Sequence, residues 1–395
     1  MSQSPMTQSS ISKASEDSRW MSLALQLAER GRYTTKPNPS VGCVIVSEGC
    51  LVGEGWHQRA GTAHAEVHAL NMAGLKAKGA TAYVTLEPCF HHGRTGPCCE
   101  ALIQAGVARV VFAMQDPNPL VAGQGLAALR AAGLVVDGPV LEAAAREMNR
   151  GFIRRMESKR PWVSCKIATS LDGRTAMANG ESQWITGSPA RKDVQRLRAS
   201  SSAIVTGIDS VLQDNSRLNL RPDELILPNG VDVDLVMALT PLRVVLDTQL
   251  RLGESTAVNA AILDESAPTL ILTSEDSLSS QAEKVHRLSA LGPHVSIESL
   301  SVGNDGRLCL ESVMALLADR DCNEVLLEAG ARLSGAFLKA GLIDELVVYQ
   351  APVLLGSEAR PMIDLALHKM SEKKSLHVID QRKLGDDQRT IVRFK

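Results

Sequence analysis

The chain has 395 residues, a formal net charge of −2, 44% hydrophobic residues and only 3% aromatic residues. That length allows two domains with full cores, while the near-neutral charge and scarce rings exclude a general electrostatic or stacking attraction to nucleic acid. No run approaches the roughly 18 consecutive apolar residues of a membrane span, and the eight cysteines are scattered without disulfide-framework spacing.

Residues 1–15 are rich in Ser and Gln, carry no apolar signal-peptide core, and read as a disordered tail. Apolar residues from Trp20 to Ala28 then outline a buried helix ending near Gly31. The segment Lys36-Pro37-Asn38-Pro39-Ser40 is a rigid loop. Asn38, fixed between two prolines, can present an amide that donates to and accepts from a heterocycle at a pocket wall, or can serve the turn alone. Strands are expected at Val41–Val46 and Cys50–Glu54, and a helix from His64 or just before it. The strand Ala82–Leu86 runs into Glu87-Pro88-Cys89, and Pro97-Cys98-Cys99 opens a helix through Gln104. A proline before each thiol suits a helix start at both places.

His64, Cys89 and Cys98 are ligand types zinc favours, and three protein ligands with a position left for water describe a catalytic zinc. Glu66, two residues past His64, is too close to share the ion but well placed to move protons to and from its water. Zinc deaminases carry His-x-Glu followed by Pro-Cys with a second cysteine close behind; here eight residues, Phe90 to Pro97, separate the two thiols. A thiol at a helix N-terminus is drawn toward the thiolate that zinc needs. Adjacent helical side chains diverge by about 100°, so Cys98 and Cys99 cannot both point at one metal, and Cys98 is chosen because it follows a proline as Cys89 does. His91 and His92 are rival ligands, and either would close the site and leave Glu66 without a role.

The run Thr85-Leu86-Glu87-Pro88-Cys89-Phe90-His91-His92-Gly93-Arg94-Thr95-Gly96-Pro97-Cys98-Cys99 resembles the zinc motif of the bacterial bifunctional riboflavin-biosynthesis deaminase-reductases. That family carries the long insert between the cysteines. Phe90 and Gly96, where Ser and Pro are usual, leave the ligands untouched. The resemblance implies an N-terminal cytidine-deaminase-like α/β/α domain holding one zinc per chain.

A strand at Val110–Ala113, a turn-rich loop, the helix Leu126–Ala132 and the strand Leu134–Val136 continue the α/β pattern. A helix from Leu141 to Met156 ends at Lys159-Arg160-Pro161, which places the zinc domain at 16–158 and a second domain at 159–395. That domain opens with the strand Trp162–Ala168 and the turn Ser170-Leu171-Asp172-Gly173. The helix Ala190–Ala199 follows, with the Ser188 hydroxyl as its cap and Pro189 at its first position. Strands at Ala203–Thr206, Leu242–Asp247, Thr269–Thr273, Glu324–Glu328 and Leu346–Ala351, with helices between several, point to a mostly parallel α/β sheet. The segment Glu328-Ala329-Gly330 through Ala336 follows a strand and opens a helix, where backbone N–H groups can meet a phosphate or the glycine can merely permit packing. Glu311–Leu317 reads as an amphipathic helix, Lys369–Lys374 as a solvated turn, and Thr390–Phe394 as the strand that closes the sheet.

The resemblance extends over nearly all of 160–365 and implies a dihydrofolate-reductase-like α/β domain. Carried across by position, the family's NADPH contacts fall on Ala168, Trp184, Ser210, Asp214, Thr248 and the segment Gly330, Ala331, Arg332, Leu333, Ser334, Gly335 and Ala336. Its substrate contacts fall on Ser182, Arg198, Leu218, Arg221 and Glu328, and both arginines can fork a phosphate. The implied protein is a cytoplasmic homo-oligomer, dimer or tetramer, that acts on a phosphorylated pyrimidine and engages neither nucleic acid nor membrane. It deaminates 2,5-diamino-6-(5-phosphoribosylamino)pyrimidin-4(3H)-one through zinc and Glu66. It then reduces the ribosyl group of the resulting 5-amino-6-(5-phosphoribosylamino)uracil to ribityl with NADPH. The competing readings are a nucleic-acid-editing zinc deaminase with an accessory domain, which leaves the chain after Arg160 unexplained, and a non-catalytic NADPH-binding regulator, which the intact His64, Glu66, Cys89 and Cys98 argue against.

Overall fold

The computed structural model describes residues 8–90, 96–119 and 121–395. The chain divides into two compact units, one of residues 1–158 with 228–231, the other of residues 159–227 with 232–395. No helix of the described residues is long and apolar enough to cross a membrane.

In the first unit β1 (Gly42–Ser47), β2 (Cys50–Trp56), β3 (Thr81–Val84), β4 (Arg109–Phe112) and β5 (Val135–Asp137) form a five-stranded sheet in the order β2-β1-β3-β4-β5. The first pairings are antiparallel, and β3-β4-β5 are parallel. Side chains alternate between the faces with period two. Val44, Val46, Tyr83 and Val111 bury against Trp20, Met21 and Ala24 of α1 (Gln8–Arg30). Cys43, Ile45, Val84 and Val110 bury against α2 (Ala65–Ala73), α3 (Cys98–Gln104) and α4 (Gln124–Ala131). Two glycines place α2: a Cβ on Gly53 would stand 2.2 Å from the Ala69 carbonyl oxygen, and one on Gly55 2.6 Å from that of Ala65. The helix that begins beside His64 therefore lies directly on β2.

Two expectations for this unit are corrected. The stretch read as a tail to Ser15 is helical from Gln8, while residues 1–7 lie outside the described residues. Asp17 explains the difference: it accepts from the Tyr83 hydroxyl at 2.8 Å and from both ends of the Arg109 guanidinium at 2.8 and 2.7 Å. The helix is thus anchored before Trp20, and extending it adds one hydrogen bond per residue. The helix expected from Leu141 to Met156 is two, α5 (Glu142–Met148) and α6 (Arg150–Ser158). Buried Asn149 separates them, its Oδ1 accepting from Ser40 N at 2.8 Å and its Nδ2 donating to Ser40 O at 3.0 Å. Asn149→Ala leaves both Ser40 groups unpaired and is expected to destabilise this unit by about 1–3 kcal/mol. An unchanged denaturant midpoint would contradict that role.

In the second unit β6 (Trp162–Thr169), β8 (Ala203–Gly207), β9 (Leu242–Leu246), β10 (Thr269–Ser274), β11 (Val295–Leu300), β12 (Glu324–Leu327), β13 (Glu345–Gln350), β15 (Leu376–Leu384) and β16 (Asp387–Phe394) form a nine-stranded sheet ordered β11-β10-β9-β8-β12-β6-β13-β16-β15. It is parallel from β11 to β13 and antiparallel beyond. β7 (Arg174–Ala176) and β14 (Arg360–Pro361) form a separate ribbon. Thr390–Phe394 does not close the sheet, because β15, which the sequence reading missed, covers its outer side. The helix α7 spans Ser188–Ser200, and its cap is Gly187 rather than Ser188, which makes no side-chain cap bond. The Gly187 N–H donates to Asp387 Oδ2 at 2.7 Å, so the last hairpin holds the residue that precedes the helix.

Candidate active sites

His64 caps α2, Cys98 is the first residue of α3, and Cys89 lies in the loop after β3. No helix starts at Cys89, contrary to the sequence expectation, because α3 uses that loop's carbonyls. Cys99 donates its Sγ proton to Pro88 O at 3.1 Å and its N–H to Cys89 O at 3.2 Å. This also turns Cys99 away from the ligand set. His64 Nδ1 stands 3.2 Å from Cys98 Sγ and 3.5 Å from Cys89 Sγ, and the Cys98 N–H donates to Cys89 Sγ at 3.3 Å. The three donor atoms lie within 4.8 Å of one another, and among the described residues theirs is the one such His/Cys/Asp/Glu group able to hold a metal. His91 and His92, the rival ligands, lie outside the described residues.

The electrostatics suit a soft divalent cation. Hydrogen bonding from Cys98 and the neighbouring His64 pull the Cys89 thiol well down, against burial, and the same contact pushes the Cys98 thiol up. Cys89 in turn raises His64. Two thiols and one imidazole form a zinc donor set, and a bound cation would draw the second thiol to thiolate. Glu66, in the first turn of α2, is 3% exposed and lies against the Cys98 thiol. Burial and the Cys89 charge push its carboxyl up to about 7, where a group can both take and return a proton.

Asn38 stands beside this set. Its Nδ2 is 3.1 Å from His57 Nε2, and the His57 ring meets the His64 ring edge-on with centroids 5.2 Å apart. His57 Nδ1 is 3.2 Å from the Ala63 carbonyl, which can only accept, so the proton sits on Nδ1 and Nε2 accepts from Asn38. Burial lowers the His57 pKa and keeps the ring neutral. The sequence reading missed His57, whose only signal is its place at the end of a strand shortly before His64.

The second unit holds a cleft of about 1660 Å³ across the C-terminal ends of β6, β8, β9 and β12. Every reductase-side residue named from the sequence lines it except Ser334 and Gly335. Those two face inward from the helix Ala331–Lys339: Ser334 is fully buried and hydrogen-bonds Ala329 O, while a Cβ on Gly335 would stand 2.1 Å from Asp364 O. Gly330 caps that helix with extended backbone, and a Cβ there would meet only Ser210 Oγ, at 3.7 Å. The space beside it is open to a ligand approaching the helix N-terminus. Ser210 Oγ accepts the Gly330 N–H at 3.3 Å, and Ser182 Oγ donates to Asp214 Oδ1 at 2.9 Å. Trp184 is 64% exposed, with the Arg191 guanidinium 4.7 Å above its ring.

Arg198 does not offer its fork to a phosphate. Nε and Nη2 donate to the two oxygens of Glu328 at 2.6 and 3.1 Å, and Nη1 donates to Asn219 O at 3.0 Å. Lys166 Nζ approaches the same carboxylate at 3.7 Å. Burial alone would raise Glu328, but Arg198 and Lys166 outweigh it and hold the carboxyl at about 2. Arg221, with its side chain 41% exposed, keeps one contact to Glu224 at 3.1 Å and is the freer of the two arginines. The sequence reading missed Lys166, whose signal is a lone cation within the apolar strand Trp162–Thr169.

Comparison with known proteins covers both units. Residues 161–384 match the model of the RibD C-terminal domain, and residues 14–114 match that of the cytidine and deoxycytidylate deaminase zinc-binding region. The chain is 48% identical over 373 residues to the riboflavin biosynthesis protein RibD of Escherichia coli, covering 94% of this chain and 98% of that one. The solved structure of Acinetobacter baumannii RibD matches with a TM-score of 0.85 at 43% identity, over 97% of this chain and all of that one (100%). A Thermotoga maritima diaminohydroxyphosphoribosylaminopyrimidine deaminase/5-amino-6-(5-phosphoribosylamino)uracil reductase matches with a TM-score of 0.82 at 30% identity, over 97% and 100%.

Proposed function

The chain belongs to the riboflavin biosynthesis RibD family and is a bifunctional deaminase and reductase, and from that premise we propose how its residues divide the work. The first unit hydrolyses the amino group of 2,5-diamino-6-(5-phosphoribosylamino)pyrimidin-4(3H)-one. The second reduces the ribosyl group of 5-amino-6-(5-phosphoribosylamino)uracil with NADPH.

His64, Cys89 and Cys98 would hold the zinc, which when bound would act as a Lewis acid and bring the pKa of water toward neutrality. Glu66 takes a proton from the attacking water and returns it to the amine that leaves as ammonia. Asn38, its amide turned by His57, presents its Oδ1 and second N–H to the pyrimidine. The observation that carries this reading is the buried Glu66 carboxyl set against a three-donor metal set.

In the second unit the start of the helix Ala331–Lys339, with Ser210 and Thr248, would hold NADPH, which supplies the hydride. Opening the ribosyl ring calls for a proton on its oxygen. The Lys166 ammonium, its pKa lowered chiefly by burial, is the acid facing the cleft. Glu328 holds Lys166 in place, Arg198 holds Glu328, and Arg221 takes the substrate phosphate. Arg221→Ala is therefore expected to weaken substrate binding by about 10-fold or more while NADPH affinity, measured by fluorescence titration, stays within about twofold. Equal losses would contradict the assignment.

Net charge and aromatic scarcity support the absence of a nucleic-acid partner, and the likeness to riboflavin biosynthesis enzymes supports a cytoplasmic location. The exposed Leu376, Val378 and Ile379 on the edge strand β15 support assembly into a homo-oligomer. The experiment that tests the main reading is metal analysis with activity on the free pyrimidine nucleotide and on tRNA. One zinc per chain and turnover of the nucleotide alone are expected; active protein without zinc would overturn the reading.

A further inference from the structure

Cys89 belongs to no helix or strand, yet Glu87, Pro88 and Cys89 are each tied down. The Glu87 N–H donates to Met114 O at 2.9 Å, and the Pro88 and Cys89 carbonyls are taken by Cys99. The Glu87 side chain, 5% exposed, makes the larger commitment. Its Oε2 accepts from the backbone N–H groups of Gly123 at 2.9 Å and Asp116 at 3.2 Å, and its Oε1 accepts from those of Gly125 at 2.9 Å and Leu126 at 3.3 Å. One carboxyl group thus takes four N–H groups of a neighbouring loop and of the first turn of α4. Helix α4 closes on the same spot, since a Cβ on Gly125 would stand 2.0 Å from Pro88 O.

We propose that Glu87 is a positioning residue for the deamination: by clamping its carboxylate to α4 and the loop before it, it sets where Cys89 Sγ stands relative to His64 and Cys98. The clamp lies two residues from the thiol, next to the Cys99 contacts that hold the Pro88 and Cys89 carbonyls. Glu87 touches neither the three donor atoms nor Glu66 and takes no part in proton transfer. The inference rests on Cys89 being a zinc ligand.

Glu87→Gln keeps the side chain's size but turns an NH2 group against two of the four N–H donors. Zinc release to a competing chelator from the zinc-loaded full chain is the first readout. The second is the thiolate-to-metal absorption of the cobalt-substituted protein, which reports sulfur geometry and which a loss of stability alone does not move. The account predicts zinc held about 10- to 100-fold less tightly in Glu87→Gln, with an altered cobalt spectrum. Glu87→Asp, which keeps the charge one methylene shorter, should fall between the two. Reduction of the deaminated substrate should be unchanged in both variants. A folded Glu87→Gln protein with unmodified zinc release and cobalt spectrum would overturn the proposal. If that variant does not fold, the same pair of results in Glu87→Asp would overturn it. Cys89→Ser separates the premise: zinc held as tightly as in the unmodified chain would remove Cys89 from the ligand set, whatever Glu87 does.

Discussion

The Glu66→Gln protein is expected to fold, to bind zinc, and to deaminate about 10²–10⁴-fold more slowly than the unmodified enzyme. The size of the effect follows from the site. Glu66 is buried against the Cys98 thiol with its carboxyl near 7, whereas the neighbouring buried Glu87 is saturated by four backbone N–H groups and cannot substitute. Glutamine keeps the shape and part of the hydrogen bonding, so packing and metal ligation should persist, but it cannot accept and return a proton. Single-turnover ammonia release from zinc-loaded protein checks this. A loss below about tenfold would mean that another group carries the proton.

The second large effect is expected from Glu328→Gln. Arg198 and Lys166 converge on this carboxylate in the cleft, and removing its charge leaves two partly buried cations without that partner, which costs about 3 kcal/mol or less. Reduction should fall by about 10²-fold or more, while ammonia release is spared. Because the folded pKa is about 2 and the ordinary value 4.5, the ionised group stabilises the fold above about 4.5. That contribution is lost as pH falls from about 4.5 toward 2. The unmodified second unit should therefore lose stability through that window, and Glu328→Gln should lose less. Equal acid sensitivity would contradict the pairing, as would an undiminished rate of hydride transfer.

Much of the deaminase site was legible because its chemistry is local. His64 and Glu66 share the start of one helix, Cys98 starts another, and the short apolar runs Val41–Val46 and Ala82–Leu86, buried on both faces, announce the sheet between them. What escaped depended on partners distant in sequence. Asp17 anchors α1 through Tyr83 and Arg109, and Asn149 splits a helix to reach Ser40. Asp387 takes the N–H of Gly187, just before α7, from the far end of the chain. The largest change of role is at Arg198. Its residue type suggested a phosphate ligand, but a buried carboxylate contributed by another strand end takes up its fork. Lys166 was passed over because a single charge in an apolar strand gains meaning only when Glu328 is seen beside it.

The central claim is that the chain carries two separate active sites, each complete in its own unit. It is tested most directly by supplying zinc-loaded Glu66→Gln protein with 5-amino-6-(5-phosphoribosylamino)uracil and following NADPH oxidation. The account predicts a rate close to that of the unmodified enzyme from protein that no longer releases ammonia. Loss of both steps, with zinc content and fold intact, would contradict it.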